Sequence, residues 1–214
     1  MWQFGFKGVK TVLCLGAHAD DIEIGCGGTI LKLVRDVPGL NVLWVVFSAR
    51  GSRATEARRS AREFLRGAGR QRIVLKRFRD SFFPYEGERI KEYFEQLKRS
   101  IQPDLVFTHC RDDRHQDHRL LSDLAWNTFR DHLILEYEIP KYDGDLGHPN
   151  LFVHLDEPLC RRKAESACRF FQTQGNKHWF SADTFLSLMR IRGIECASPT
   201  KYAEAFYCRK LICA

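Results

Sequence analysis

The sequence lacks the features that mark several classes of protein. Among its eight cysteines no two stand in C-x-x-C spacing, so the common zinc-ribbon and thioredoxin-like redox motifs are missing. No apolar run approaches the roughly 20 residues that a membrane-spanning helix requires. The N-terminus lacks the basic, apolar and small-residue succession of a signal peptide. We therefore expect a cytoplasmic protein with no membrane span, whose cysteines are reduced and mostly structural.

The composition predicts one well-packed globular domain. The chain has 214 residues, of which 44% are hydrophobic and 12% are aromatic. This is enough for one sizeable core but short for two, and so high an aromatic content argues against a disordered chain. No internal repeat or low-complexity linker divides the sequence. We expect a single domain over residues 1–214.

The positive charge is concentrated in one segment. The formal net charge is +7, yet residues 50–79 contain eleven basic and only two acidic residues, which leaves −2 for the rest of the chain. A basic segment of this kind is also found in nucleic-acid-binding proteins, so nucleic-acid binding is a remote alternative function. Few aromatic residues are interleaved with the basic ones, so we expect no nucleic-acid partner. Arg58, Arg62 and Arg66 recur at helical spacing and are expected to form a solvated face or to attract an anionic sugar carrier.

Short apolar runs alternate with amphipathic segments along most of the chain. Residues 11–16 (TVLCLG) are typical of a strand that is buried on both faces. The pattern predicts further strands at 42–47, 73–75, 105–108 and 133–136, and helices at 25–37, 55–68, 88–101 and 115–129. This alternation is typical of βαβ units, so we expect an α/β fold with a mostly parallel sheet flanked by helices.

Beyond residue 137 the alternation loosens, which predicts an elaborated C-terminal third. A turn-rich loop at 142–150 precedes a predicted strand at 151–155, and helices are predicted at 158–171 and 182–191. Because variable loops at strand ends usually select the substrate, residues 142–147 are candidates for a specificity loop.

Two clusters of ionisable residues carry the chemistry. The sequence His18-Ala19-Asp20-Asp21 follows the first strand, and His115-Gln116-Asp117-His118 follows the fourth, where the next helix begins. In open α/β sheets ligands collect at the carboxyl ends of the strands, so the two clusters can converge. Imidazole and carboxylate groups are zinc ligands. An isolated Asp pair after a strand usually forms a turn or caps a helix. Burial of two clusters of ionisable side chains, however, costs free energy unless these groups bind a partner. The pattern therefore indicates a metal or acid–base site, and leaves open whether His115 and His118 are both ligands.

The glycines after the first cluster suggest a second interpretation, a dinucleotide site. Gly25-Cys26-Gly27-Gly28 does not have the G-x-G-x-x-G register of that site. Two aspartates would also occupy the tight turn where the pyrophosphate binds, and their charge would repel it. We therefore set this alternative aside.

Three motifs carry a resemblance to a known family. The segment 16–29 (GAHADDIEIGCGGT) resembles the first signature of the PIG-L, or LmbE-like, zinc-dependent de-N-acetylases. The segment 115–118 (HQDH) resembles their second signature, H-x-D-H, and 202–206 (YAEAF) resembles their usual ending. The motifs occur in the family's order and span nearly the whole chain. Ala19 stands where proline is frequent, which affects only the stiffness of the turn.

The resemblance implies a Rossmann-like α/β fold and a catalytic zinc ion. His18, Asp21 and His118 would hold the zinc, and Asp20 would act first as general base and then as general acid. Zinc lowers the pKa of bound water towards ~7 and polarises a carbonyl, which suits the hydrolysis of an unreactive amide. Asp20 could take the proton of that water and deliver it to the departing amine.

The resemblance also implies roles for three further residues. His115 would help to stabilise the oxyanion, for which a protonated ring would add charge. Asp117 would orient a neighbouring histidine, and Arg53 matches an arginine that the family places near the substrate. Outside these motifs, we expect His109 to lie in the core or at a cap, and Asp113 to lie in a solvated loop.

The function expected from the resemblance is the zinc-dependent hydrolysis of the N-acetyl group of an amino sugar. The substrate would be a GlcNAc-type carbohydrate or glycoconjugate, and the products would be acetate and a free amine. The alternative within the family is an amide hydrolase that acts on a mycothiol- or bacillithiol-type precursor or on an antibiotic intermediate. The expected partner is the N-acetylated substrate, and assembly into a homo-oligomer is compatible with the sequence.

Overall fold

The computed structural model of the protein describes residue 3 and residues 5–212. Seven strands are seen in this part of the chain: β1 Thr11–His18, β2 Asn41–Ser48, β3 Arg70–Leu75, β4 Leu105–His109, β5 Leu133–Tyr137, β6 Leu151–Leu155 and β7 Tyr202–Cys208. The helices are α1 Asp21–Asp36, α2 Gly51–Phe64, α3 Gly87–Ser100, α4 Gln116–Thr128, α5 Glu157–Phe170 and α6 Ala182–Glu195. Single 3₁₀ turns lie at Phe83–Glu86 and Gln172–Gln174.

All seven strands form one sheet in the order β3-β2-β1-β4-β5-β7-β6. The neighbouring pairs among β1 to β5 are parallel, whereas β7 runs antiparallel to both β5 and β6. The mostly parallel α/β architecture predicted from the sequence is therefore confirmed. The position of β7 between β5 and β6 was not predicted, because residues 202–206 were interpreted only as a family motif and not as a strand.

Burial on both faces of the central strands explains their continuous apolar sequences. Helices α1, α2, α5 and α6 pack on one face, around residues such as Trp44 and Phe206. Helices α3 and α4 pack on the other face, around residues such as Phe47 and Phe94. Among the described residues, no helix is both long enough and apolar enough to cross a bilayer.

Helices α1 and α2 each begin four residues earlier than predicted, at Asp21 and Gly51. Consequently α1 starts directly after the aspartate pair, and both carboxylates stand at its first turn. Helix α2 also ends earlier, at Phe64, and the turn that follows it contains Gly67 at a φ of +101°.

The glycines of α1 permit close packing of the helix on the sheet. A Cβ atom at Gly25 would lie 2.1 Å from the ring of Tyr137, and one at Gly28 would lie 2.5 Å from Leu155. Glu204 of β7 accepts hydrogen bonds from the backbone N–H groups of Gly28 (2.8 Å) and Thr29 (2.6 Å). Since a buried carboxylate already occupies these donors, the glycine-rich segment is a packing surface and holds no phosphate.

Candidate active site

The two clusters meet because β1 and β4 are neighbours in the sheet. His18 ends β1, and His118 lies in the first turn of α4, which follows β4. Nδ1 of His18 lies 3.1 Å from Nε2 of His118, although 100 residues separate them. The carboxyl edge of the sheet thus brings the predicted residues together.

Asp21 completes a triangle of acceptor atoms with these two rings. Its Oδ2 atom lies 3.4 Å from Nδ1 of His18 and 3.6 Å from Nε2 of His118. A tetrahedral zinc ion with ligands at about 2.0–2.2 Å would separate its ligand atoms by roughly 3.3–3.6 Å. The edges of 3.4 and 3.6 Å lie in this range and the edge of 3.1 Å is about 0.2 Å shorter, so the triangle is close to the size that one such ion requires.

The hydrogen bonds behind the rings direct one nitrogen of each ring into the triangle. Nε2 of His18 lies 3.2 Å from Asp117 Oδ2, and Nδ1 of His118 lies 2.9 Å from Asp113 Oδ2. A carboxylate only accepts, so these ring nitrogens carry protons and the opposite nitrogens face the triangle. Burial opposes protonation of His18, but Asp21, Asp117 and Asp80 raise the pKa of its ring, so His18 gives up its second proton, on Nδ1, when a cation binds. Two lone pairs and a carboxylate oxygen then face one another, and a cation satisfies all three. The donor set therefore fits a divalent metal.

Two further imidazoles lie close to the triangle, and one nitrogen of each ring accepts a backbone hydrogen bond. The rings of His109 and His115 lie 3.8 Å and 4.6 Å from the ring of His118, centroid to centroid. Nε2 of His109 accepts from the N–H of Ala17 (3.0 Å), and Nδ1 of His115 accepts from the N–H of Asp117 (3.2 Å). His115 with His18 and His118, and His109 with Asp21 and His118, also lie close enough together to hold a metal, but the backbone hydrogen bonds make His109 and His115 the weaker candidates. His109 is buried in the core, as expected.

The protonation states around the triangle follow from burial and from neighbouring charges. Burial opposes ionisation of Asp21, yet the imidazoles of His118, His109 and His18 hold the pKa of its carboxyl well below the usual range. Burial, assisted by His109, lowers the pKa of His118 to about 3. Asp21 is therefore ionised and His118 is neutral, which are the forms that bind a metal.

Asp117 is fully buried, and three donors surround its carboxylate. It accepts hydrogen bonds from the backbone N–H groups of Ser81 (2.7 Å) and Phe83 (3.1 Å), besides its contact with His18. Ser81 adopts a φ of +65°, so this loop wraps closely around the carboxylate. The carboxylate of Asp117 is thus fixed directly behind the His18 ring.

Asp113 differs from the sequence expectation of a solvated loop residue. It is buried, and its carboxylate contacts the His118 ring and accepts a hydrogen bond from the N–H of His115 (2.7 Å). Burial opposes its ionisation, but the His118 hydrogen bond and nearby cationic groups lower its pKa. Sequence reasoning missed this residue because a loop has no periodicity that could reveal its burial.

Asp20 and Arg53 form an ion pair beside the triangle. Nη2 of Arg53 donates to Oδ1 of Asp20 at 2.6 Å, and the guanidinium lies 5.7 Å from the ring of Phe171. Burial raises the pKa of Asp20, and the charge of Arg53 offsets part of this effect. A raised pKa suits a group that must take up a proton and release it again.

His115 lies beside His18 and His118, and its environment favours a neutral ring. Burial and the nearby His18 lower the pKa of its imidazole, which disfavours the protonated ring expected from the sequence. Because its Nδ1 accepts from Asp117, the proton of the neutral ring resides on Nε2. The ring can therefore donate a hydrogen bond without carrying a charge.

Comparison with known proteins identifies the family. The family model described as PIG-L, GlcNAc-PI de-N-acetylase, matches residues 13–129, more than half of the chain. The chain therefore belongs to the PIG-L family of deacetylases, enzymes that hydrolyse N-acetyl amide bonds. The matched residues contain both ionisable clusters.

Two curated relatives are each 30% identical to the chain. One is an uncharacterised deacetylase, YaiS, of Escherichia coli, aligned over 61% of this chain and 75% of its own length. The other is the diacetylchitobiose deacetylase of Thermococcus kodakarensis, aligned over 53% of this chain but only 47% of its own length.

Solved structures share the fold. The N,N'-diacetylchitobiose deacetylase from Pyrococcus horikoshii has a TM-score of 0.73 at 24% identity and covers 94% of this chain and 84% of its own. The 4-carboxy-2-hydroxymuconate hydratase GalB from Pseudomonas putida has a TM-score of 0.71 at 15% identity, with coverage of 96% and 98%. Since a hydratase shares this fold, the fold alone does not define the reaction.

Proposed function

We propose that the protein is a zinc-dependent hydrolase that removes the acetyl group from an N-acetylated amino sugar. The observation that carries the proposal is the triangle of acceptor atoms from His18, Asp21 and His118, with the carboxylate of Asp20 next to it in sequence. Three protein ligands with a position left for water are typical of catalytic zinc sites.

The site residues divide the work of amide hydrolysis. Zinc, when bound by the triangle, supplies a Lewis acid that polarises the amide carbonyl and acidifies the attacking water. Asp20 takes a proton from that water as its oxygen forms a bond to the carbonyl carbon. Asp20 then delivers the proton to the amide nitrogen as the C–N bond breaks, which yields acetate and a free amine.

Three other residues support this sequence of steps. The Nε2–H group of His115 donates to the oxyanion that develops on the carbonyl oxygen. Asp117 holds the His18 ring in the ligating tautomer. Arg53 keeps Asp20 in place through its 2.6 Å hydrogen bond, and its partly exposed guanidinium is available to a substrate.

The substrate class rests on the family and on its named relatives. The family description names GlcNAc-PI, and two related proteins are named for diacetylchitobiose. These share an N-acetylglucosamine unit, so we propose a GlcNAc-type carbohydrate or glycoconjugate as the substrate. Mycothiol- and bacillithiol-type precursors and antibiotic intermediates form the alternative class.

Acetate release from a substrate panel tests the proposal. We expect release from N-acetylglucosamine or diacetylchitobiose by the purified zinc-loaded chain. Asp20→Asn should abolish turnover while about one zinc ion per chain is retained, since Asp20 is not a proposed ligand. Activity only on thiol precursors or antibiotic intermediates would select the alternative class, and activity on no N-acetylated compound would refute both. If Asp20→Asn lost its zinc together with its activity, this result would contradict the role of Asp20 as the base.

A further inference from the structure

The loop that follows β5 is joined to the catalytic loop that follows β4 by one buried lysine. Nζ of Lys141 lies 3.1 Å from Oδ2 of Asp113, the carboxylate behind His118, and also forms an ion pair with Asp145. The same carboxylate of Asp145 accepts a hydrogen bond from the backbone N–H of Arg114 at 2.7 Å. Lys141 therefore bridges two loops at neighbouring strand ends.

This bridge is shielded from solvent. The side chains of Lys141, Asp113 and Asp145 are 9%, 2% and 6% exposed. Without the ammonium group, two buried carboxylates would face each other with no cation between them, which is strongly unfavourable. Asp145 lies on the more exposed loop, so it is the carboxylate that would move away.

The far end of the loop has its own anchor. The N–H of Gly147 donates to Glu138, and its carbonyl accepts from Arg192 of α6 at 3.1 Å. Residues 142–146 therefore lie between two fixed points, the Lys141 bridge and the hydrogen bonds of Gly147. Tyr142, which is 71% exposed, accepts a hydrogen bond from the N–H of His178 (3.4 Å) and so reaches the segment before α6.

We propose that Lys141 is a positioning residue that holds residues 142–146 as one wall of the substrate pocket, beside His115 and His118. The proposal rests on the proposed function. Asp113 has a separate hydrogen bond from the N–H of His115, so it stays in place behind His118 when Lys141 is removed. The loss of Lys141 should therefore affect substrate binding and spare the metal.

The test compares Lys141→Met with wild type. We expect KM to rise about tenfold, equivalent to one decade in affinity, with kcat within about threefold of wild type and about one zinc ion per chain retained. Hydrogen exchange of the Arg114 amide, which donates to Asp145, should become at least about tenfold faster. Lys141→Arg should restore part of the change, and Lys98→Met, at an exposed lysine of α3, should change neither quantity.

A double variant distinguishes the bridging charge from a general loss of packing. Asp145→Asn in the Lys141→Met background removes the carboxylate repulsion, so KM and hydrogen exchange should return towards wild type. An unchanged KM with unchanged exchange in Lys141→Met would overturn the proposal, as would a double variant no better than the single one. If wild type releases no acetate from any substrate, the proposed function fails, while the exchange comparison still tests the bridge.

Discussion

Residues 11–129 and residues 133–208 contribute to the site in different ways. The first region supplies every proposed metal ligand, the base Asp20 and the carboxylates behind the two histidines. The second region supplies groups that contact the first region without being proposed ligands. Lys141 forms an ion pair with Asp113, and Glu204 accepts hydrogen bonds from the backbone of α1. The chemistry thus lies in short segments at strand ends of the first region, whereas the second region supports their geometry through Lys141 and through Glu204 of the 202–206 motif.

The largest expected effect lies in the first region, at His118. His118→Ala removes one corner of the triangle, so zinc should be lost, and activity should fall by at least about 10³-fold because the Lewis acid contributes several kcal/mol. Metal analysis and acetate release measure both. His132→Ala, at the start of β5 and far from the site, is the control. A His118→Ala protein that binds zinc as tightly as wild type would contradict the assignment.

The second region should dominate stability, through Glu204. This carboxylate is buried with Lys163 at 2.6 Å and also accepts two backbone hydrogen bonds from α1. Glu204→Gln leaves the Lys163 ammonium buried without a counter-charge, so the free energy of unfolding should fall by about 3–5 kcal/mol. Denaturant titration measures it, with Glu165→Gln on the exposed side of α5 as the control. If the free energy of unfolding fell no further in Glu204→Gln than in the control, Glu204 would not be a main source of stability.

A smaller effect is expected at Asp113, the carboxylate of the first region that accepts a hydrogen bond from the proposed ligand His118. Asp113→Asn weakens the hold on His118 and should reduce zinc affinity by about 10- to 100-fold, measured by competition with a chelator. Asp112→Asn changes the neighbouring exposed carboxylate and should leave the affinity unchanged. If both variants lose affinity equally, the effect comes from overall charge and not from the His118 contact.

The smallest effect is expected from the basic helix face. Arg58 and Arg62 are exposed on α2, whereas Arg66 is exposed in the turn that follows the helix. The ion pair of Arg66 with Glu63 is a surface pair of little energetic value. Replacing all three arginines by glutamine should leave kcat/KM on a neutral sugar within about twofold and stability within about 0.5 kcal/mol. Salt-sensitive binding of nucleic acid by wild type, lost in the triple variant, would instead favour the nucleic-acid alternative.

Local sequence patterns were sufficient for much of this architecture. The continuous apolar sequences of β1 and β2 predicted doubly buried strands, and β6 was predicted with its observed bounds. The two ionisable clusters were predicted to converge because parallel strands share a carboxyl edge. Each of these inferences depends on neighbouring residues alone.

The features that were missed depend on partners far along the chain. The pairing of β7 with β5 and β6, the burial of Asp113 and the bridge at Lys141 are all set by tertiary contacts. Burial and the proximity of His18 also lower the pKa of His115, which disfavours the protonated form expected from the sequence, and both are properties of the folded site. Spacing along the chain encodes none of these contacts.

The position of β7 has a consequence for the order of folding. Leu135 of β5 pairs with Cys208 of β7, so this ladder forms only after the intervening residues have been synthesised and collapsed. Until then β5 presents an open edge, which is a surface prone to pairing with other chains. Contacts of such sequence separation form slowly, and Glu204 arrives on the same strand. The parallel half of the sheet can therefore assemble first, while the last strand to dock both closes the edge and locks α1 against it.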